Sequence, residues 1–281
     1  MEYDDLAFIL NNRSKLRKSE TKVAAYVLEH REECIQASVS ELAELTGVSD
    51  PTVIRFCRAL GFRGFQDFKI RLAQSVVPRE RQIHETARSD EPIPELVRKI
   101  FDSNTAALRD TLATLDYAQV EASVRDLAEA GKIIFFGLGG SAVVAMDAYH
   151  KFFRLGVPCE WFNDGHLAVM AASMMRPRHV LVAISHSGSS RDVVDTLEVA
   201  KDAGARTIAI VSHHISPVSR TADRTLCVAA IETGYKLEPM ASRIAQLTVI
   251  DVLSVGVALA RSDEVLENLG KSRRALVRKR Y

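Results

Sequence analysis

The sequence predicts an all-α N-terminal domain built as a helix-turn-helix bundle, followed by an α/β domain with a doubly wound parallel sheet. Three observations carry this. Up to about Val77 apolar residues recur at helical spacing and no convincing strand interrupts them. From Pro78 to Pro94 the chain is polar and broken by three prolines, the best linker it contains. After Gly131 short apolar runs alternate with helical patterns, as in a parallel sheet buried on both faces. The 281 residues also favour two domains, since one domain takes roughly 150. The boundaries expected are residues 1–77 for the helical domain, 78–94 for the linker and 95–281 for the α/β domain.

In chain order, Ser19 marks the start of a helix with Val23, Ala24, Val27 and Leu28 on one stripe, and Ser40 precedes Leu42, Ala43 and Leu45. Two helices are expected after the linker, from Glu95 to Thr114 and from Asp116 to Ala130. Strands are expected at Lys132–Phe136, Val157–Phe162, His179–Ile184, Arg206–Val211 and Thr225–Val228. Helices are expected at Ser141–Arg154, Leu167–Met175 and Ser190–Ala203, the last ended by Gly204. Right-handed crossovers then give the doubly wound arrangement. Pro239 to Ala260 reads as a final long helix, and the tail from Lys271 carries six Lys or Arg and no acid.

Composition narrows the function classes. At 47% hydrophobic and 26% charged the chain is globular, and it is long enough to bury about three quarters of its unfolded surface without staples. Lys+Arg 37 against Asp+Glu 36 excludes a globally basic nucleic-acid coat but allows a local basic face. Cys34, Cys57, Cys159 and Cys227 lie far apart with no CxxC pair, which suggests buried thiols in a reducing cytosol and no metal site. The start, Met1-Glu-Tyr-Asp-Asp, is acidic where a signal peptide is basic, and no 18-residue apolar run is read in the sequence. A cytoplasmic protein without a membrane partner is expected.

The stretch Ser40-Glu-Leu-Ala-Glu-Leu-Thr-Gly-Val-Ser49 followed by Asp50-Pro-Thr-Val-Ile-Arg-Phe-Cys-Arg-Ala-Leu60 is the most informative of the N-terminal half. Ala43 lets a second helix approach, and Gly47 supplies the tight turn. Ser49 is a good N-cap, and Pro51 falls in the first turn, where its missing N–H does no harm. At 100° per residue Val53, Phe56, Cys57 and Leu60 form one stripe. Arg55 and Arg58 fall opposite, with Pro51 between them and Thr52 at the edge. A helix packed on one side with arginines on the other suits major-groove reading, because arginine bonds guanine O6 and N7 bidentately. Pro51 to Arg81 holds seven Lys or Arg against two acids, so Arg63 and Lys69 are expected on phosphates. A helical docking domain with a solvated charged face is the competing reading. A single recognition helix covers a short half-site, so a homodimer or homotetramer is expected on double-stranded DNA.

Two loops carry the chemistry of the second half. Phe136-Gly-Leu-Gly-Gly-Ser141 follows the first strand, and Ile184-Ser-His-Ser-Gly-Ser-Ser190 follows the third. Both project from the carboxyl ends of strands and open helices. Glycine N–H groups, helix N-termini and serine hydroxyls all favour an anion, and without a P-loop lysine the natural guest is a phosphate monoester. Gly137-Leu-Gly139-Gly-Ser-Ala142 also matches a dinucleotide fingerprint, with Glu160 as the ribose acid. That reading leaves the second loop unexplained. Ser187 lacks the GxSxG elbow a nucleophile would need.

The two loops, GxGxS and SxSGxS, resemble the sugar-isomerase (SIS) domain that binds phosphosugars. Asp50-Pro-Thr-Val-Ile-Arg-Phe-Cys-Arg-Ala-Leu-Gly-Phe-Arg-Gly-Phe-Gln-Asp-Phe-Lys69 resembles the N-terminal domain of RpiR-type transcriptional regulators. Phe135-Phe-Gly-Leu-Gly-Gly-Ser-Ala, His150-Lys-Phe-Phe-Arg154 and the segment Pro239 to Leu253 are most similar to the branch of that family that controls hexose catabolism. The resemblance implies a repressor whose effector is a phosphorylated sugar acid, 2-keto-3-deoxy-6-phosphogluconate. By it the phosphate ligands are Ser141, Ser185, Ser187 and Ser190 with Gly139, Gly140 and Gly188, and Ser242 and Arg243 face the sugar or carboxylate end. A helix-capping and interface role serves that last pair equally well.

SIS domains also occur in isomerases, where a base must stand beside the sugar carbon. Glu238, His150, His186 and His213-His214 are the groups available. His186 reads as a solvent-facing filler in the anion loop. The two adjacent histidines at a strand end point to opposite faces, which argues against a metal between them. One acid before Pro239 does not make an active site. A fused DNA-binding domain favours ligand sensing over catalysis, and neither catalytic residues nor a cofactor are expected.

Overall fold

The computed structural model describes Ile9 and residues 13–76, 91–229 and 240–277. Most of the linker, Glu238 and the last basic residues fall outside them. The described residues form two compact units, one reaching to Ser103 and the other beginning at Asn104.

The first unit contains α1 (Lys18–Glu29), α2 (Arg31–Gln36), α3 (Val39–Thr46), α4 (Asp50–Ala59) and α5 (Phe65–Val76). Val23, Val27, Ile35, Leu42, Val53, Phe56, Phe68 and Leu72 are buried in one core. Helix α1 begins before Ser19, with Arg17 at its N-cap. Ser38 rather than Ser40 caps α3: its hydroxyl accepts from the Glu41 N–H at 3.1 Å, while the Glu41 carboxylate accepts from the Ser38 N–H at 2.6 Å. The Ser40 hydroxyl turns inward and donates to the Asp50 carboxylate, tying the start of α3 to the start of α4. Gly47 ends α3 with φ +63, the left-handed conformation a C-cap glycine supplies.

The second unit holds a five-stranded parallel sheet in the order β2-β1-β3-β4-β5. Its strands are β1 (Lys132–Gly137), β2 (Cys159–Phe162), β3 (His179–Ser185), β4 (Arg206–Val211) and β5 (Arg224–Cys227). The helices are α7 (Tyr117–Ala128), α8 (Gly140–Leu155), α9 (Gly165–Ser173), α10 (Arg191–Asp202), α11 (Pro217–Thr221), α12 (Ala241–Ala260) and α13 (Ser262–Val277). They follow α6 (Ile93–Thr114), which starts in the first unit. The short α11 and the separate α13 are additions to the expected pattern.

Strand side chains alternate between two apolar layers. Ile133, Phe135, Val182 and Ile208 pack with Val144, Phe152, Val249 and Leu253 on one face. Ile134, Phe136, Leu181 and Ala209 pack with Ala168, Val193 and Leu197 on the other. Helix α12 is long and apolar enough to cross a membrane by composition. Its Ala245, Val249, Ile250, Leu253 and Val257 are nevertheless part of the sheet core, so it is read as a core helix.

Candidate functional site

In the first unit, α3, the Gly47 turn and α4 form a helix-turn-helix. Val53, Phe56, Cys57 and Leu60 are buried, and Pro51, Arg55 and Arg58 are exposed, so the packed and open faces of α4 divide as periodicity requires. Thr52, expected at the edge of that open face, and Lys69, expected on a phosphate, are both turned inward. Thr52 is buried at 5% exposure, and its Oγ1 accepts from Arg55 Nη2 at 2.7 Å and lies 3.1 Å from Ser49 Oγ. Its place is behind the arginine rather than in front of it. Lys69 is buried at 6% exposure, with Nζ donating to the Ala37 carbonyl at 2.8 Å and lying 5.6 Å from the Phe65 ring centre. It closes the C-terminal end of α2 from inside, where it cannot reach the phosphate expected of it. Arg63 is exposed, but its backbone N–H and its Nε both donate to Asp67 Oδ2, at 3.0 and 3.5 Å.

Burial pushes the Lys69 ammonium down to about 8 from its ordinary 10.5, against an upward pull from Glu41 and Cys34. Between those values the unfolded chain holds more protons than the native one, so this group makes stability rise with pH through that window. Urea midpoints of wild type and Lys69→Met, compared across pH 7.5–10.5, should shift in favour of wild type by up to about 1.4 kcal/mol per pH unit. The buried thiol of Cys57 acts in the opposite sense and equally in both proteins, whereas that of Cys34 is held down by Lys69 and rises further in Lys69→Met, which adds to the difference in favour of wild type. A stability difference flat with pH would mean that Lys69 is charged and solvated.

In the second unit the strand order reverses between β1 and β3, which pair directly, Gly137 opposite Ile184. Such a switch point opens a crevice at the carboxyl ends of the strands. Both serine loops lie there. Gly139, at φ +54, is the N-cap of α8, and Gly140 and Ser141 form its first turn. Ser190 is the N-cap of α10. Two helix N-termini therefore open where β1 and β3 end, a setting that favours an anion.

The second loop is braced from behind. Gly188, at φ +61, donates its N–H to the Ser185 carbonyl at 3.2 Å and accepts from the Val218 N–H at 2.9 Å. A Cβ on Gly188 would collide with Ser216 Oγ, so only glycine fits. Ser216 caps α11, and its place under the loop was missed although Ser216-Pro217 is a helix-start signature. Ser185 is buried, whereas Ser141, Ser187 and Ser190 are half-buried. Ser187 Oγ accepts from the Ser189 N–H at 3.3 Å. The hydroxyls of Ser141, Ser185 and Ser190 make no hydrogen bond to another described residue. Ser242 and Arg243 stand on a separate element, the first turn of α12, Ser242 fully buried and Arg243 half-buried.

Of the groups considered for catalysis, His186 lies in the second loop with the His213 ring near it, and Glu238 falls outside the described residues. His150 is exposed on α8. His186 is half-buried rather than a solvent-facing filler, its Nδ1 2.9 Å from Ser212 Oγ and its ring 6.5 Å from that of His213. Glu160 is not at the end of β2. It is the second residue of the strand, opposite Ile134, and its carboxylate pairs with Lys132 at 2.9 Å, at the opposite end of β1 from the crevice. A ribose acid must reach the carboxyl end, so the dinucleotide reading loses its acid. Among the described residues no cluster of three His, Cys, Asp or Glu could hold a metal ion.

Known proteins share these features. A family model described as the helix-turn-helix domain of the rpiR family matches residues 4–79, and one described as the SIS domain matches residues 126–256. The HTH-type transcriptional regulator HexR of Escherichia coli K12 is 38% identical over 266 residues, which cover 95% of this chain and 92% of that protein. An uncharacterized HTH-type transcriptional regulator of Caldanaerobacter subterraneus subsp. tengcongensis is 37% identical over 266 residues, covering 95% and 94%. The Vibrio vulnificus NanR protein, complexed with ManNAc-6P, matches with a TM-score of 0.84 over 97% of this chain and 99% of that one; at 24% identity this likeness is one of fold. An rpiR-type helix-turn-helix followed by a SIS domain, matched along nearly its whole length by named transcriptional regulators, places this chain in the RpiR family of transcriptional regulators.

Proposed function

We propose that this regulator is a cytoplasmic repressor of sugar-catabolism genes, released from its operator by a phosphorylated sugar acid. Residues 1–77 read double-stranded DNA through Arg55 and Arg58, with Arg63 on a phosphate. Residues 95–281 sense the effector, and residues 78–94 connect the two. The single observation that carries this reading is the meeting of two serine-bearing loops and two helix N-termini at the switch point of a sheet fused to a DNA-reading helix. Ser141, Ser185, Ser187 and Ser190 donate hydroxyls to the phosphate, and the backbone at Gly139, Gly140 and Gly188 lets it approach. Ser242 and Arg243 take the carboxylate end. Similarity to HexR favours 2-keto-3-deoxy-6-phosphogluconate, and the like-folded NanR is complexed with a ligand of the same phosphosugar class. No cofactor, metal or catalytic step enters.

A thermal-shift panel tests this. 2-Keto-3-deoxy-6-phosphogluconate, 6-phosphogluconate, glucose 6-phosphate and NAD are each added to the full chain. A ligand at a hundred times its Kd adds about 2.7 kcal/mol to apparent stability. A shift with the phosphorylated sugar acids is expected; a shift with NAD alone would replace sensing by dinucleotide binding.

Assembly belongs to the same reading. Val252, Val255 and Leu259 form an exposed apolar stripe on α12, at 44%, 58% and 73% exposure, beyond what the sheet core uses. Light scattering at micromolar concentration should give a mass of at least two 31.1-kDa chains. A stable 31.1-kDa species would refute the paired arrangement.

A further inference from the structure

The Arg55 side chain is exposed, yet two neighbours hold it. Its Nη2 donates to Thr52 Oγ1 at 2.7 Å, and its Nε lies 3.8 Å from Glu20 Oε1. The Glu20 side chain is 4% exposed against 47% for Arg55. The other oxygen, Oε2, accepts the Arg17 N–H at 2.9 Å at the start of α1. A carboxylate this buried is costly without a cation, and Arg55 is its ion-pair partner among the described residues. Thr52 is fixed in turn by Ser49, with the two hydroxyl oxygens 3.1 Å apart.

The guanidinium carries five N–H donors in a rigid fork. Glu20 and Thr52 occupy the edge formed by Nε and Nη2. No described residue hydrogen-bonds Nη1, so the edge it forms with Nη2 is left for a ligand. That edge has the bidentate spacing that matches guanine O6 and N7. A long arginine otherwise loses rotamer freedom when it binds.

We propose that Glu20 and Thr52 are positioning residues that hold the Arg55 guanidinium in a base-reading orientation, so that sequence discrimination by α4 depends on a buried carboxylate of α1. This rests on Arg55 touching a base edge. The alternative role for Glu20 is that of a helix cap alone.

The test uses the full chain and a duplex selected by the wild-type protein from a random-sequence library. Affinity for that duplex and for a scrambled duplex of equal length is measured for Glu20→Gln, Thr52→Val, Arg55→Ala and Glu20→Gln/Arg55→Ala. Gln can still cap Arg17, and Val keeps the shape of Thr, so at least one of these two single variants should fold. Arg55→Ala is expected to lower the selected-to-scrambled ratio about 10–100-fold. Glu20→Gln and Thr52→Val should lower it about 3–20-fold at unchanged scrambled-duplex affinity, and the double variant should lose no more than Arg55→Ala. If Arg55→Ala lowers the ratio and neither Glu20→Gln nor Thr52→Val does, positioning is overturned while Arg55 keeps its role. If Arg55→Ala leaves the ratio intact, the base contact itself fails and positioning with it. A Glu20→Gln variant with a lower melting temperature and an intact ratio is a cap only, which also overturns the proposal.

Discussion

Arg58→Ala is expected to weaken binding to the operator duplex by about 1–3 kcal/mol with little change in melting temperature. Its side chain is exposed in the last turn of α4, opposite Phe56 and Cys57, and no core contact is lost with it. Arg55→Ala should weaken binding by the same amount but also destabilise the fold, because it strands the buried Glu20 carboxylate. Arg63→Ala differs in kind. Its charge is partly compensated by Asp67, so it should weaken all sequences alike and flatten the salt slope by about one unit at most. Gel shifts across a salt series, with melting curves alongside, separate the three. Full operator affinity in both Arg55→Ala and Arg58→Ala would remove α4 as the reading helix.

What the sequence disclosed follows the range of the forces involved. The strands were visible because a parallel sheet buried on both faces needs unbroken apolar runs, and β1, β3 and β4 fall within a residue of the expected limits. The α4 stripe was visible for the same reason. The crevice loops were visible because Gly139, Gly188 and the serines between them are local chemistry. Lys69 was misread because it looks like one more cation in a basic run. Its Nζ finds a carbonyl 32 residues away, which no pattern encodes. Glu20 carried no mark at all, since its partner Arg55 comes from another helix. Glu160 was misplaced because it stands two residues before the carboxyl end of β2, opposite Ile134, where its carboxylate turns back to Lys132 from the neighbouring strand. Local signals place elements and loops, whereas charged side chains are disposed by the tertiary fold.

Loss of effector response without loss of DNA binding is the larger effect expected from the second unit. A phosphate bound between the two loops as proposed would be held by hydroxyls through charge-assisted hydrogen bonds. Ser141→Ala and Ser185→Ala should therefore each cost roughly 1.5–3 kcal/mol of effector binding. That is about 10–150-fold in effector concentration. Ser141 sits in the first turn of α8 and Ser185 ends β3, and neither hydroxyl bonds another described residue, so the fold should tolerate both changes. Helix α4 belongs to the other compact unit, so operator affinity without effector should be unchanged. Coupling between the sites needs only that the effector prefer the DNA-free arrangement, typically by 1–3 kcal/mol, and linkage then requires DNA to weaken effector binding by the same factor. Titrating a phosphorylated sugar acid into preformed protein–DNA complex, wild type beside each variant, reads this directly. Wild type should release the duplex at a concentration at which both variants remain bound. Release of both variants at the wild-type concentration would show that the phosphate is held elsewhere. A duplex that wild type itself keeps at saturating effector, confirmed by thermal shift, would show that sensing and reading are uncoupled.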